Sequence, residues 1–157
     1  GRAVRATAAG PADHALAGRH LDAAVTGLRK AGSQEFLAPG LLHRAAFHRA
    51  TGDPAAAARD LAEAREIAER AGFRLALADA HLEAAHQALA RGDRAAAEAE
   101  YTAARDLIEA TAYHRRDPEI VELATALDLE PPEWVGQSDI EVDIPLALDV
   151  LGPKTPR

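Results

Sequence analysis

The chain lacks cysteine and methionine, and only Lys30 and Lys154 of its 157 residues are lysines. Without cysteine it can form neither a disulfide nor a thiolate metal site, and it has no thiol nucleophile. A small secreted domain stabilised by disulfides is therefore excluded. Nearly all the positive charge is arginine and alanine is the dominant apolar residue, a composition that indicates a GC-rich bacterial source.

Long apolar runs and an excess of positive charge are also missing. The chain contains no stretch of about 18 apolar residues, the length that a membrane-spanning helix needs. Residues 1–10 carry no apolar run typical of a secretory signal. The net charge is −7 and the pI about 5.5, whereas a nucleic-acid-binding surface is basic. We therefore expect a cytoplasmic protein that binds neither nucleic acid nor membrane.

An internal repeat with a period of 40 residues runs through most of the chain. Aspartate, alanine, a large apolar residue and a second alanine each recur at this offset. A fixed period of this size indicates stacked supersecondary units. The repeated positions are Asp13, Asp53 and Asp93; Ala17, Ala57 and Ala97; Leu21, Leu61 and Tyr101; and Ala24, Ala64 and Ala104.

Each unit reads as a helix that follows a tight turn. After Asp53 the apolar residues fall at steps of three and four, which places them on one face of a helix. Asp53 suits the N-cap and Pro54 the first helical position, while Gly52 suits the left-handed residue that ends the preceding helix. Because the link is so short, the two helices must pack as an antiparallel hairpin.

The pattern predicts an all-α fold of antiparallel helical hairpins, stacked because no single hairpin buries its own apolar face. The small alanines should let neighbouring helices approach closely. We divide the chain into an N-terminal flank (1–12), a helical repeat domain (13–128) and an extended C-terminal tail (129–157). The predicted helices are 13–31, 37–51, 54–71, 74–91, 94–112 and 117–127.

The Gly-Asp turn and the residues that follow it resemble the signature of the tetratricopeptide repeat family. That signature has a Gly-Asp turn, alanine four residues after the aspartate, a large residue after four more and alanine after a further three. In this chain the residues at the signature positions are Gly92-Asp93, Ala97, Tyr101 and Ala104. The usual repeat has 34 residues, and this longer one is similar to the variant found in bacterial multidomain regulators and NTPases.

The resemblance implies a solenoid that binds a protein or an extended peptide, as one module of a larger bacterial signalling or regulatory protein. The first helix reads like the second half of a repeat, so we expect a piece of a longer chain. In this family the first helix of each unit lines a concave groove. The candidate groove residues are therefore Leu42, Ala46, Arg49, Asp79, Leu82, His86 and Leu89.

Seven histidines raise a second alternative, a small metal-dependent enzyme. His43 and His48, like His81 and His86, are five residues apart, so their rings would point about 140° apart around a helix. No HExxH motif occurs. The carboxylates alternate with arginines in the manner of solvent-exposed faces with i,i+4 pairs. We therefore expect no metal, no cofactor and no catalytic site.

The tail differs in composition from the rest. From Leu129 onward it holds five of the nine prolines, and six acidic residues against one lysine and one arginine. Its apolar residues alternate with polar or small ones, which favours an extended strand. It could be disordered or a linker, or part of another domain. It could also dock in the groove of its own or a neighbouring array, which would make the chain a self-association or autoregulatory module. The candidate anchors are Trp134, Ile140, Val142, Ile144, Leu146 and Leu148.

Overall fold

A computed structural model of the chain describes residues 10–135, and in that range the fold is all-α, as predicted. The five predicted anchors from Ile140 to Leu148 lie outside the described residues. No strand occurs between residues 10 and 135. The helices are α1 (Pro11–Ala31), α2 (Gln34–Ala50), α3 (Pro54–Ala71), α4 (Arg74–Ala90), α5 (Arg94–Thr111) and α6 (Asp117–Ala126), with a 3-10 turn at His114–Arg116 before α6.

Two helices begin earlier than predicted. α1 starts at Pro11 rather than Asp13, because a proline fits the first turn of a helix, where its missing N–H is not needed. The Asp13 carboxylate lies inside that turn and accepts a hydrogen bond from the Gly10 backbone N–H at 3.0 Å. α2 starts at Gln34 rather than at residue 37.

The Gly-Asp turns have the predicted geometry. Gly52 and Gly92 adopt left-handed φ values of +85° and +76°, a region that a Cβ disfavours. The carboxylates of Asp53 and Asp93 then accept the Ala56 and Ala96 backbone N–H groups at 3.0 and 3.1 Å. One helix ends and the next is capped within three residues.

Each helix packs against the next one along the chain, and α2 also contacts α4. One hydrophobic cluster joins α1, α2, α3 and the start of α4 around Val25 and Leu41. A second cluster joins α4, α5 and α6 around Leu82, Tyr101 and Ile108. α6 therefore closes the described part of the fold against α4 and α5.

The repeated alanines are buried in two units and exposed in the first. Ala57, Ala97 and Ala104 are fully buried, as is Ala64, which confirms the close approach of helices at these positions. Ala24 in α1 is exposed, as is Ala17. The reason is that the backbone of α1 approaches only that of α2, and α1 meets α3 through side chains such as the Arg29–Glu63 pair. In the described part of the chain no helix covers the face of α1 that carries Ala24.

Most ion pairs join different helices, which corrects the expectation of i,i+4 pairs on exposed faces. Asp60, expected on a solvated face, is buried and accepts two hydrogen bonds from Arg44 at 2.7 and 2.8 Å. Arg70 with Glu66 is an i,i+4 pair of the expected kind. Five arginine pairs that join different helices are Arg29–Glu63, Arg44–Asp22, Arg44–Asp60, Arg49–Glu83 and Arg65–Glu100.

Tyr101 stands where the other units have leucine, and its hydroxyl is buried without a hydrogen-bond partner. Burial raises the pKa of this phenol above its ordinary value. Because an unsatisfied buried polar group is costly, we expect Tyr101→Phe to raise the free energy of unfolding by about 1 kcal/mol. Urea denaturation measures the change, and a loss of stability would show that the hydroxyl has a partner.

None of the helices between residues 10 and 135 combines the length and apolarity needed to cross a membrane.

Candidate functional site

A cleft opens where α2, α4 and the start of α6 meet. Its volume is about 90 Å³, enough for a few water molecules or one inserted side chain. The walls combine apolar residues with charged ones from three separate segments. They are Pro39, Leu42, His43 and Ala46 from α2, Asp79, Leu82 and Glu83 from α4, and Arg116 and Glu119.

Arg116 is the charged centre of the cleft. Its Nε donates to Asp79 at 2.7 Å and its Nη1 to Glu119 at 3.3 Å. The Tyr113 hydroxyl donates to the same Asp79 carboxylate at 3.3 Å. Burial is the largest single effect and opposes the charge of Arg116, but the hydrogen bond to Asp79 and the negative charges of Asp79 and Glu119 together outweigh it and raise the pKa of Arg116 above the ordinary value. Arg116 therefore stays protonated and holds α4 to α6.

Glu83 forms the back of the cleft on the α4 side. It is buried and accepts two hydrogen bonds from Arg49, at 3.0 and 3.1 Å, and one from the Gln87 amide at 3.0 Å. Gln87 also donates to the carbonyl oxygen of Ala57 at 3.1 Å. The network ties α2, α3 and α4 together, because each carboxylate oxygen of Glu83 is matched by a donor.

Glu119 connects the cleft to His86. The two side chains are hydrogen-bonded at 3.1 Å between His86 Nε2 and Glu119 Oε1. This hydrogen bond lowers the pKa of Glu119 below its ordinary value of 4.5, against the opposing effect of burial and with help from the charge of Arg116. Glu119 is thus kept as a carboxylate at neutral pH.

The depressed pKa of Glu119 predicts an acid-sensitive contribution to stability. Between the folded and unfolded pKa values the unfolded chain binds more protons, so stability rises with pH in that window. We expect the stability difference between the wild type and Glu119→Gln to be full above pH 4.5 and to shrink as the pH falls through the folded pKa. Chemical denaturation from pH 6 to pH 3 measures it; Glu122→Gln, an exposed carboxylate on the same helix, is the control.

Three carboxylates and two guanidinium groups line or border the cleft, so it carries a net charge of −1 with neutral histidines. The carboxylates are Asp79, Glu83 and Glu119, and the cations are Arg49 and Arg116. Between residues 10 and 135 no group of three or more histidine, aspartate or glutamate side chains is placed to hold a metal ion. The chemistry that this arrangement offers is recognition of a side chain that is apolar along its stem and positive at its end.

The structure brings some of the predicted groove residues to this cleft. Leu42 and Asp79 line the cleft, together with Ala46 and Leu82. His86 and Arg49 reach it through the carboxylates of Glu119 and Glu83. Leu89 does not line the cleft, because it packs against the hydrophobic cluster of α4, α5 and α6.

Sequence reasoning missed Arg116, Glu119 and Glu83. The first two come from the connector and the last helix, and the repeat pattern assigns no groove position there. Glu83 follows the expected groove residue Leu82, but nothing in its spacing distinguishes it from an exposed glutamate. One signal was available: the cluster His114-Arg115-Arg116 concentrates positive charge directly before a helix, where ion pairs to the preceding helices are possible.

Trp134 is the one predicted tail anchor within the described residues. It packs, with Val135, against the hydrophobic cluster of α4, α5 and α6. Its ring meets that of His114 edge-on, with 5.6 Å between the centroids. The chain after α6 therefore returns to the helical core before residue 136.

Comparison of the chain with models of known protein families, with curated proteins and with solved structures gives no match. The residues themselves must therefore carry any functional proposal.

Proposed function

We propose that this chain is a tetratricopeptide-like solenoid that binds an extended segment of another protein in the α2/α4/α6 cleft. The observation that carries the proposal is the convergence of three alternate helices, α2, α4 and α6, on one cleft with a net charge of −1. The 40-residue period and the two capped Gly-Asp turns support the family assignment.

The size of the cleft favours a peptide over a small molecule. Drug-sized ligands occupy cavities of roughly 300–1,000 Å³, whereas this cleft has about 90 Å³. One side chain fills that space, and the affinity must come from contacts along the neighbouring surface. An extended peptide that inserts one residue and lies across the helices satisfies both conditions.

The charge of the cleft favours a basic residue in that peptide. The surplus carboxylate and the apolar walls of Leu42, Leu82 and Pro39 match a lysine or arginine, which has an apolar stem and a cationic end. The net charge of the chain, −7, adds long-range attraction for a basic partner. We propose that the module acts in the bacterial cytoplasm, as part of a larger signalling or regulatory protein.

A random library of ten-residue peptides, selected on the immobilised full chain, tests the proposal. We expect the enriched peptides to share a lysine or arginine beside apolar residues. Ala46→Trp, which fills the cleft, should weaken their binding at least tenfold by fluorescence anisotropy, and Ala46→Ser should leave it unchanged. The control variant is Ala110→Trp, at an exposed alanine of α5.

Two outcomes would contradict the proposal. One is a selection that enriches no common sequence. The other is a peptide whose affinity is the same for the wild type and Ala46→Trp but falls with Ala110→Trp, since the binding surface would then lie away from the cleft.

A further inference from the structure

A second concave region lies on the other side of α4, between α3 and α5. α3 and α5 do not pack against each other, and α4 forms the floor between them. A cavity of about 310 Å³ occupies this gap. A second cavity of about 370 Å³ adjoins it and lies between Arg49 of α2, the start of α3 and α4; the two share Ala58, Gln87 and Arg91 as lining residues. We call this region the α3–α5 slot. Its walls are mainly alanine, with Leu61 at one side.

The equivalent position one repeat earlier, between α1 and α3, is filled. There Arg44 reaches from α2 and donates to Asp60 on α3 and to Asp22 on α1. Beside it the Phe47 ring lies so close to Gly18 that a Cβ at that glycine would come within 3.2 Å of the ring. An arginine and a phenylalanine thus bridge the first gap.

The gap between α3 and α5 contains no counterpart of either side chain. Forty residues after Arg44 and Phe47 the chain has Ala84 and Gln87. Alanine cannot reach across, and the Gln87 amide is already hydrogen-bonded to Glu83 and to the backbone of α3. The α3–α5 slot is therefore open because the repeat changed at two positions, and the open space has an apolar alanine floor.

Positive charge surrounds this floor. Arg49, Arg65 and Arg91 line the slot, and Glu100 is its only lining carboxylate among the described residues. Arg49 is paired with the buried Glu83 behind the slot, and Arg91 lies 3.9 Å from Asp93. Arg65 donates to Glu100 at 2.9 Å through Nη2, but its Nε is buried and has no hydrogen-bond partner. Because that Nε is buried, a ligand would meet Arg91 instead, whose side chain is 59% exposed. An extended ligand with apolar residues and carboxylates would cover the floor and bring its carboxylates near this arginine.

The sequence after Val135 has this composition. Ile140, Val142 and Ile144 alternate with Glu141 and Asp143, and residues 139–150 contain four acidic residues and no basic one. The alternation would turn the apolar side chains to one side of an extended segment and the carboxylates to the other. The 22 residues after Val135 can extend over about 70 Å, so their length allows them to reach the slot.

The charges distinguish this slot from the α2/α4/α6 cleft. Three carboxylates and one arginine line the cleft, whereas three arginines and one carboxylate line the slot, so the slot is the better match for an acidic segment. We propose that residues 139–150 of this chain occupy the α3–α5 slot of the same molecule, with their apolar side chains on the alanine floor and their carboxylates facing the arginines. The inference is independent of the ligand proposed for the cleft.

Disulfide mapping in the full chain tests the inference. Because the sequence contains no cysteine, the two introduced thiols are the only ones that can react. We expect the pair Ala58→Cys and Ile144→Cys to form an intramolecular disulfide under mild oxidation. The matched pair Ala46→Cys and Ile144→Cys, which places the first thiol in the cleft, should form it at least tenfold more slowly. Mobility on a denaturing gel separates the intramolecular product from a covalent dimer.

A charge variant checks the arginines separately. Arg91→Glu should slow the Ala58–Ile144 cross-link about threefold or more, an effect of the size expected for an exposed ion pair. Arg70→Glu, on the same fold but outside the slot, should leave the rate unchanged. Equal cross-linking from Ala58 and Ala46, faster cross-linking from Ala46, or a product that is mainly covalent dimer would each overturn the proposal.

Discussion

Replacing Ala64 with leucine is expected to lower the free energy of unfolding by about 3 kcal/mol, whereas the same change at Ala24 should have almost no effect. The two residues occupy the same position of the 40-residue repeat. Ala64 is fully buried, but Ala24 lies on the uncovered face of α1. The pair therefore separates the effect of helix packing from that of helix propensity, which is identical for the two substitutions.

The expected cost at Ala64 arises from the closeness of α2 and α3. Ala64 belongs to the cluster that includes Leu41 and Leu42, and the alanine leaves no space for three further carbon atoms. Leucine must either adopt a strained rotamer or push the helices apart. Denaturant titration followed by circular dichroism measures both variants. Similar losses at the two positions would show that the face of α1 carrying Ala24 is also packed.

Removal of the Asp60 carboxylate should have an effect of comparable size. Asp60→Ala is expected to lower the free energy of unfolding by about 2–4 kcal/mol, since it leaves the Arg44 guanidinium half-matched in a buried place. The side chains of Arg44 and Asp60 are only 15% and 8% exposed. The hydrogen bond from Arg44 to Asp60 raises the pKa of Arg44, so the arginine cannot escape the cost by losing its proton.

The matched control is Glu66→Ala. Its partner Arg70 and the glutamate itself are exposed, so this pair should contribute less than about 0.5 kcal/mol. The double variant Arg44→Met and Asp60→Leu should recover most of the stability lost in Asp60→Ala, because apolar residues can replace a buried ion pair at little cost. If Asp60→Ala and Glu66→Ala are equally mild, the Arg44–Asp60 pair is solvated.

The helix caps and turns could be predicted from the sequence because the interactions that form them are local. Asp53 and Asp93 cap a helix with their own carboxylates, and Gly52 and Gly92 supply the left-handed turn that precedes it. These interactions span three or four residues, so a motif and its period are enough to predict them. The start of α1 was misplaced by two residues for the same local reason, since Pro11 opens the helix before Asp13.

Only part of the candidate site could be predicted from the sequence. Leu42 and Asp79, which line the cleft, were candidates only through the family resemblance, and Arg116 and Glu119 come from outside the regular repeat. Asp60 and Glu83 look like surface acids in the sequence, and yet both are buried. Their burial depends on arginines more than ten residues away, Arg44 and Arg49, and no periodicity encodes such a pairing.

The sequence alone determined the all-α class, the position of the Gly-Asp turns and the alanine positions where helices can approach closely, because each of these follows from short-range stereochemistry and a period of 40. The tertiary structure decided which copy of each repeated residue is buried. It left Ala24 exposed and covered Ala64, filled one gap with Arg44 and Phe47, and left the next one open. The physical reason is that burial and charge pairing depend on which helix stands opposite, and that neighbour is fixed only when the hairpins pack.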